Sequence, residues 1–231
     1  VDRDGDGQND EEMVTSVGDD GVTTTISSYF AGNGTLLARM TATESGNGLS
    51  RTMAYDLDGD GTSERTLAAT VTLGADGGRT STVEHRDGAG ALLAKEQLTT
   101  SDDGLASTAS LDLDGDGTFE TNTSFFTTFA ANGATDETWE TRDAANTLTA
   151  SKTRTTSGDG LDVTQSTDFD GNGTDNRLNT LQLGASGGST ETESFYGADG
   201  TLLRDYGTTV SADGRNVTST LDRDGDGADD L

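Results

Sequence analysis

Hydrophobic positions in this chain are sparse, and where they occur they fall on alternate residues. In TLAATVTL, Leu67, Ala69, Val71 and Leu73 share one side of an extended chain, opposite Ala68, Thr70 and Thr72. That is the two-residue period of a strand, and no apolar stripe with the 3.6-residue period of a helix persists anywhere. Similar Thr-rich stretches, such as STETESFY from Ser189 and RNVTSTL from Arg215, are bounded by turn signals: DFDGNGT from Asp168, GASGG from Gly184, GADGT from Gly197 and SADG from Ser211. Gly, Asn and Asp in these positions accept the positive φ of tight hairpin turns, whereas Thr, Gly and Asp are all poor helix formers. The pattern predicts consecutive antiparallel hairpins and almost no helix, with Phe126, Trp139, Phe195 and Tyr196 as occasional large anchors for cross-strand packing.

The pattern repeats. An acidic motif begins at Asp2, Asp56, Asp112, Asp168 and Asp222, at intervals of 54, 56, 56 and 54 residues. Flanking sequence repeats with it: GLSRTMAYDLDGDGT from Gly48, GLASTASLDLDGDGT from Gly104 and GLDVTQSTDFDGNGT from Gly160 align without gaps. A second set is NGTLLARMT from Asn33, AGALLAKEQ from Ala89 and DGTLLRDYG from Asp199. The fold class expected is all-β, built of tandem repeats of ~56 residues with four antiparallel strands each, elongated and open-ended. The units run 1–55, 56–111, 112–167 and 168–221, with a terminal half-unit 222–231, in one continuous array. Because a lone hairpin is marginal, the units are expected to bury their faces on neighbours. A four-bladed β-propeller is the alternative, disfavoured because blades pack through larger apolar faces than these residues offer.

Composition sharpens the problem of what holds such a chain together. Of 231 residues, 29% are hydrophobic and 5% aromatic, close to the range of disordered chains, yet there is no proline to interrupt a hydrogen-bonded strand. There is no cysteine, so neither disulfides nor thiolate metal sites supply a staple. With 14 Lys and Arg against 42 Asp and Glu, the net charge of -28 would repel a phosphate backbone and an anionic bilayer surface, which argues against nucleic-acid partners. No apolar run reaches the length of a membrane span, so membrane insertion is not expected.

Clustered carboxylates repel one another, and their recurrence asks for a counter-charge. Each acidic stretch fits, in full or in part, D-x-D-x-D-G-x-x-[DE], in which positions 1, 3, 5 and 9 supply side-chain oxygens and position 7 a backbone carbonyl. Such oxygen-only ligation suits a hard cation, Ca²⁺ better than the strictly octahedral Mg²⁺, with the glycine at position 6 permitting the sharp turn. The candidate ligands are Asp2, Asp4, Asp6, Gln8 and Asp10 in the first loop, Asp56, Asp58, Asp60, Thr62 and Glu64 in the second, and Asp112, Asp114, Asp116, Thr118 and Glu120 in the third. The fourth offers Asp168, Asp170, Asn172, Thr174 and Asn176, the fifth Asp222, Asp224, Asp226, Ala228 and Asp230. Two amides replace carboxylates in the fourth, which is expected to bind most weakly. An EF-hand is excluded by Met13, Leu67, Thr123 and Asn179 at position 12, where that motif needs glutamate.

These loops resemble the calcium hairpin loops of FG-GAP/VCBS-type repeats, and the DGTLL hairpins resemble YD repeats. Over nearly the whole chain the Thr/Asp/Gly-rich unit is similar to repeat regions of giant secreted bacterial adhesins and calcium-dependent surface proteins. The resemblance implies an extracellular or bacterial cell-surface setting, a fibre or adhesin-stalk role, and cell-surface glycans among the partners. The G-G-x-G-x-D nonapeptide of RTX proteins is absent, so their parallel β-roll is not expected.

Only Val1 precedes the first loop and only Leu231 follows the last. That suggests a window from a longer array, head-to-tail self-association, or closure into a ring. No enzymatic activity is expected: the sole histidine, His85 in VEHRDG, has no nucleophile elbow, Walker loop or HExxH beside it.

Overall fold

The computed structural model describes residues 1–3, 5 and 7–230. Sixteen antiparallel strands lie in one open sheet, in chain order from β1 to β16. The chain divides into two compact units, Val1–Asp102 with Ala109–Glu120, and Asp103–Thr108 with Thr121–Leu231. The first holds β1 (Glu11–Val17), β2 (Thr23–Phe30), β3 (Leu36–Glu44), β4 (Ser50–Asp56), β5 (Arg65–Leu73), β6 (Arg79–Asp87) and β7 (Leu92–Thr100). β8 (Ala106–Asp112) is shared between the units. The second holds β9 (Thr121–Phe129), β10 (Thr135–Asp143), β11 (Leu148–Thr156), β12 (Asp162–Asp168), β13 (Arg177–Leu183), β14 (Ser189–Tyr196), β15 (Leu202–Val210) and β16 (Val217–Asp222). The four strands per repeat are those the turn spacing predicts. A four-bladed ring would instead need four separate sheets.

Repeats join edge to edge. Backbone pairing of β4 with β5 aligns Met53 with Leu67, and that of β12 with β13 aligns Val163 with Leu181, so the boundary between repeats is an ordinary ladder. The expected face-to-face stacking is not found: among the described residues no hydrophobic side chain is buried. The buried residues are instead Ser27, Ser28, Ser110 and Ser194, together with Asp56, Asp112, Asp168 and Asp222. With so few large apolar residues, a second layer would gain little at about 25 cal/mol per Å². Small serines sink between taller neighbours, and cohesion within the sheet falls to backbone hydrogen bonds and cross-strand side-chain pairs.

Those pairs are numerous and mostly polar. Hydroxyls meet across strands at Thr15 and Thr25 (3.1 Å), Thr180 and Thr192 (2.6 Å), and Thr153 and Ser166 (2.8 Å), each the kind of contact that contributes about 0.2–1 kcal/mol. In the second unit the registers align Phe125, Trp139, Lys152, Thr167, Arg177, Phe195 and Arg204 in one row across seven strands. Trp139 lies 5.1 Å from Phe125 and carries the Lys152 ammonium 4.9 Å above its ring, while Arg204 stacks 3.9 Å from Phe195. Trp139 and Phe195 thus act as the cross-strand anchors predicted, whereas Phe126 is 40% exposed on the other face.

The unequal repeat intervals have a local origin. β1 and β13 have seven residues where β5 and β9 have nine. A two-residue change slides the register while keeping every side chain on its face, whereas a change of one would invert the strand. Deleting Thr72 and Leu73 together, which gives β5 the length of β13, is therefore expected to lower stability by no more than about 1 kcal/mol. Deleting Leu73 alone is expected to cost at least about 2 kcal/mol more, read from urea midpoints of the two variants.

Candidate metal centres

An even number of strands per repeat returns the chain to the edge it left, so all acidic loops of a unit emerge along one edge of its sheet. Loops 1 to 3 (residues 2–10, 56–64 and 112–120) belong to the first unit and loops 4 and 5 (168–176 and 222–230) to the second. Four strands at about 4.8 Å set successive loops about 19 Å apart.

The same framework builds each loop. The position-1 aspartate, which in loops 2 to 5 ends a strand, turns both carboxylate oxygens onto the loop's own backbone. Asp56 accepts the N–H of Gly59 at 2.6 Å and of Gly61 at 3.1 Å. The corresponding distances are 2.6 and 3.0 Å for Asp112, 2.7 and 2.8 Å for Asp168, and 2.7 and 2.8 Å for Asp222. These four carboxylates are 1–5% exposed. Asp2 makes the same pair of bonds, to Gly5 and Gly7 at 2.7 and 3.0 Å, but stays exposed. Position 9 closes the loop by accepting the position-2 N–H. Glu64 takes that of Leu57 at 2.6 Å, Glu120 that of Leu113 at 2.7 Å, Asn176 that of Phe169 at 2.7 Å, Asp230 that of Arg223 at 2.8 Å and Asp10 that of Arg3 at 2.6 Å.

Position 5 carries the next turn. Asp60 accepts the N–H of Thr62 at 2.7 Å and its hydroxyl at 2.6 Å; Asp116 takes the Thr118 N–H, Asn172 that of Thr174 and Asp226 that of Ala228. Gln8, at position 7 of loop 1, lies against the turn glycine Gly34. Asp4 and Asp6 lie outside the described residues.

This framework gathers the carboxylates. One oxygen from each of Asp56, Asp58, Asp60 and Glu64 lies within 4.8 Å of all the others, and the same holds for Asp112, Asp114, Asp116 and Glu120, and for Asp222, Asp224 and Asp226. Oxygens held about 2.4 Å from a common Ca²⁺ stand at most about 4.8 Å apart, so the donor sets fit a hard divalent cation in both chemistry and spread. Asp230, one methylene shorter than Glu64 and Glu120, is absent from the fifth cluster.

The motif singles out the glycine at position 6, yet the glycine at position 4, which the sequence pattern does not mark, is the more tightly constrained. At Gly61 a Cβ would meet nothing within 4 Å, whereas at Gly59 it would fall 2.2 Å from the Leu36 carbonyl oxygen. Gly115 stands equally close to Leu92, Gly171 to Leu148 and Gly225 to Leu202. Those leucines open β3, β7, β11 and β15, beside the register shifts that bulge the preceding hairpins. The two repeated sequence sets are therefore two sides of one contact, an acidic loop lying on a bulged turn, and their recurrence in step was the available signal.

At Asp60, Asp168 and Asp222 the surroundings favour the ionised carboxylate. Burial pushes the Asp168 carboxyl up, but the N–H groups of Gly173, Gly171 and Asp170 outweigh it and hold its pKa below the ordinary 3.8. Asp222 shows the same balance, burial opposed by the N–H groups of Gly227, Gly225, Asp224 and Asp226. Asp60 is lowered by the Thr62 hydroxyl and then by the Thr62 N–H.

No known protein family matches the sequence, and no curated protein is significantly similar to it.

Two outcomes follow from this geometry. Both Gly59→Ala and Gly61→Ala strain a positive φ, +76° and +92°, but only the first adds a backbone clash. The first is expected to destabilise by at least about 3 kcal/mol and the second by about 1 kcal/mol in chemical denaturation. For Asp168, a depressed folded pKa means stability fully present above the unfolded value of 3.8 and lost as pH falls through the folded one. The stability gap between wild type and Asp168→Asn, measured in chelator, should accordingly be flat from about pH 7 to 5 and shrink below about pH 4.

Proposed function

We propose that this protein is a non-enzymatic structural repeat that acquires its rigidity from calcium outside the cell, as a fibre or adhesin stalk. The observation that carries the reading is the inversion of the usual core: the two most fully buried side chains are Asp112 and Asp168, and no apolar one is buried among the described residues. A sheet organised around carboxylates in a chain of net charge -28 is destabilised by self-repulsion. Divalent cations at the loops cancel that repulsion where it is densest and tie each loop's two strands together. Ion binding that the unfolded chain cannot match becomes folding free energy.

Calcium is the cation this reading selects, because oxygen donors of mixed carboxylate and carbonyl type suit its flexible coordination. Millimolar calcium outside cells and its scarcity in cytosol would make the chain stiffen on export. The resemblance of the Thr/Asp/Gly-rich unit to repeats of secreted bacterial surface proteins points the same way. The proposed partner is more of the same sheet, a second copy or a continuation, because edge-to-edge pairing is how the repeats join within each unit.

Thermal melts followed by far-ultraviolet circular dichroism test this. At about 100 times Kd each ion adds about 2.7 kcal/mol, so 2 mM CaCl₂ should raise the midpoint by about 10 °C or more over EDTA. Sodium chloride of equal ionic strength should recover only a minor part of that. Coincident melts in calcium and chelator would overturn the proposal.

A further inference from the structure

We propose that loop 4 is a cation-independent latch, in which the Asn172 amide does the work that a metal ion does in loops 2 and 3; the contrast rests on the reading of those loops as cation sites. The Asn172 side chain is fully engaged. Its Nδ2 donates to the carbonyl oxygen of Ala198 at 3.1 Å and to Asp170 Oδ2 at 3.3 Å, and its Oδ1 accepts the Thr174 N–H at 2.7 Å. An amide has two N–H groups, and here each meets an acceptor. Flipping the amide would set an oxygen against two other oxygens, so the network itself fixes the orientation.

Ala198 lies in the turn between β14 and β15, so this bond ties the loop to a turn 26 residues further along the chain. Loop 4 is thereby held from both sides, since Gly171 lies on Leu148 at the start of β11. Asp60 and Asp116 occupy the equivalent place in loops 2 and 3. An ionised carboxylate only accepts, and cannot make this bond. In loops 2 and 3 it converges instead with the other carboxylates of its cluster, an arrangement a cation resolves. The amide resolves it with its own hydrogens.

Position 9 follows the same substitution. Asn176 keeps the loop-closing bond to the Phe169 N–H at 2.7 Å without bringing a charge. Among positions 1, 3, 5 and 9, loop 4 thus carries the carboxylates Asp168 and Asp170, where loop 2 carries Asp56, Asp58, Asp60 and Glu64. Less repulsion needs cancelling, and the bond to Ala198 supplies the tie. The chain therefore contains two kinds of junction, those that stiffen with calcium and one, between β12 and β13, that is already set without it.

Hydrogen exchange by mass spectrometry on the full chain, in 2 mM CaCl₂ or EDTA, separates these. In wild type, chelation should speed exchange in β4 and β5 by about tenfold or more while leaving β12 and β13 within about twofold. Asn172→Ala should speed β12 and β13 by about tenfold in both media. Asn172→Asp should do so only in EDTA, with calcium restoring protection and one further ion bound per chain by plasma mass spectrometry. Equal acceleration of β4–β5 and β12–β13 by chelator in wild type, or no effect of Asn172→Ala, overturns the latch. Insensitivity of β4 and β5 to chelator, with Asn172→Ala still loosening β12 and β13, would instead reject the cation reading of loop 2 and leave the latch standing.

Discussion

The structure depends on a buried carboxylate that accepts two glycine N–H groups. In each complete loop the position-1 aspartate ends one strand, fills the corner with both oxygens, and sets the path along which the chain re-enters the sheet. A buried charge is tolerated only when hydrogen-bonded or paired. The N–H groups meet part of that demand, and the neighbouring carboxylates recreate the rest of it. The capacity to hold a cation is in this sense a consequence of how the corner is built: the framework that satisfies Asp56 also draws Asp58, Asp60 and Glu64 together.

The second constraint is that no hydrophobic side chain is buried among the described residues. An ordinary domain this size is held by burial of apolar surface, whose contribution is of order 10² kcal/mol before conformational entropy is subtracted. Here that term is replaced by ladders, hydroxyl pairs and cation–aromatic contacts, each small and each local. Stability assembled this way resembles that of other repeat architectures, where neighbouring elements hold one another and no single centre does. The contacts between acidic loops and bulged turns give it a third dimension, because each of loops 2 to 5 lies on a hairpin two strands before it, as Gly59 does on Leu36.

Much of this was legible from residues alone. The period-2 alternation around Leu67 to Leu73 and the recurrent Gly/Asp turns gave the strands, and the spacing of Asp56, Asp58, Asp60 and Glu64 gave the clusters. What could not be read was how the faces are used. Sparse apolar residues suggested stacking between repeats, because hairpins ordinarily need it, and nothing local in the strands distinguishes a face that is covered from one that is not. Likewise Gly59 and Gly61 look alike in sequence, and only the approach of Leu36 separates a glycine needed for its φ from one needed also for its missing Cβ. Asn172 read as a weakened ligand because a ligand list has no place for a side chain that donates; its bond to Ala198 is a tertiary fact.

Neutralisation of the carboxylate clusters by divalent cations in the folded protein is the proposal on which the rest turns. Its most direct test is the metal content of the folded chain after gel filtration from millimolar calcium into calcium-free buffer, read by inductively coupled plasma mass spectrometry. Calcium is expected to co-elute with the protein at two or more ions per chain, matching the two four-carboxylate clusters around Asp56 and Asp112. Folded protein that elutes with no alkaline-earth metal, its β-sheet spectrum intact, would contradict it.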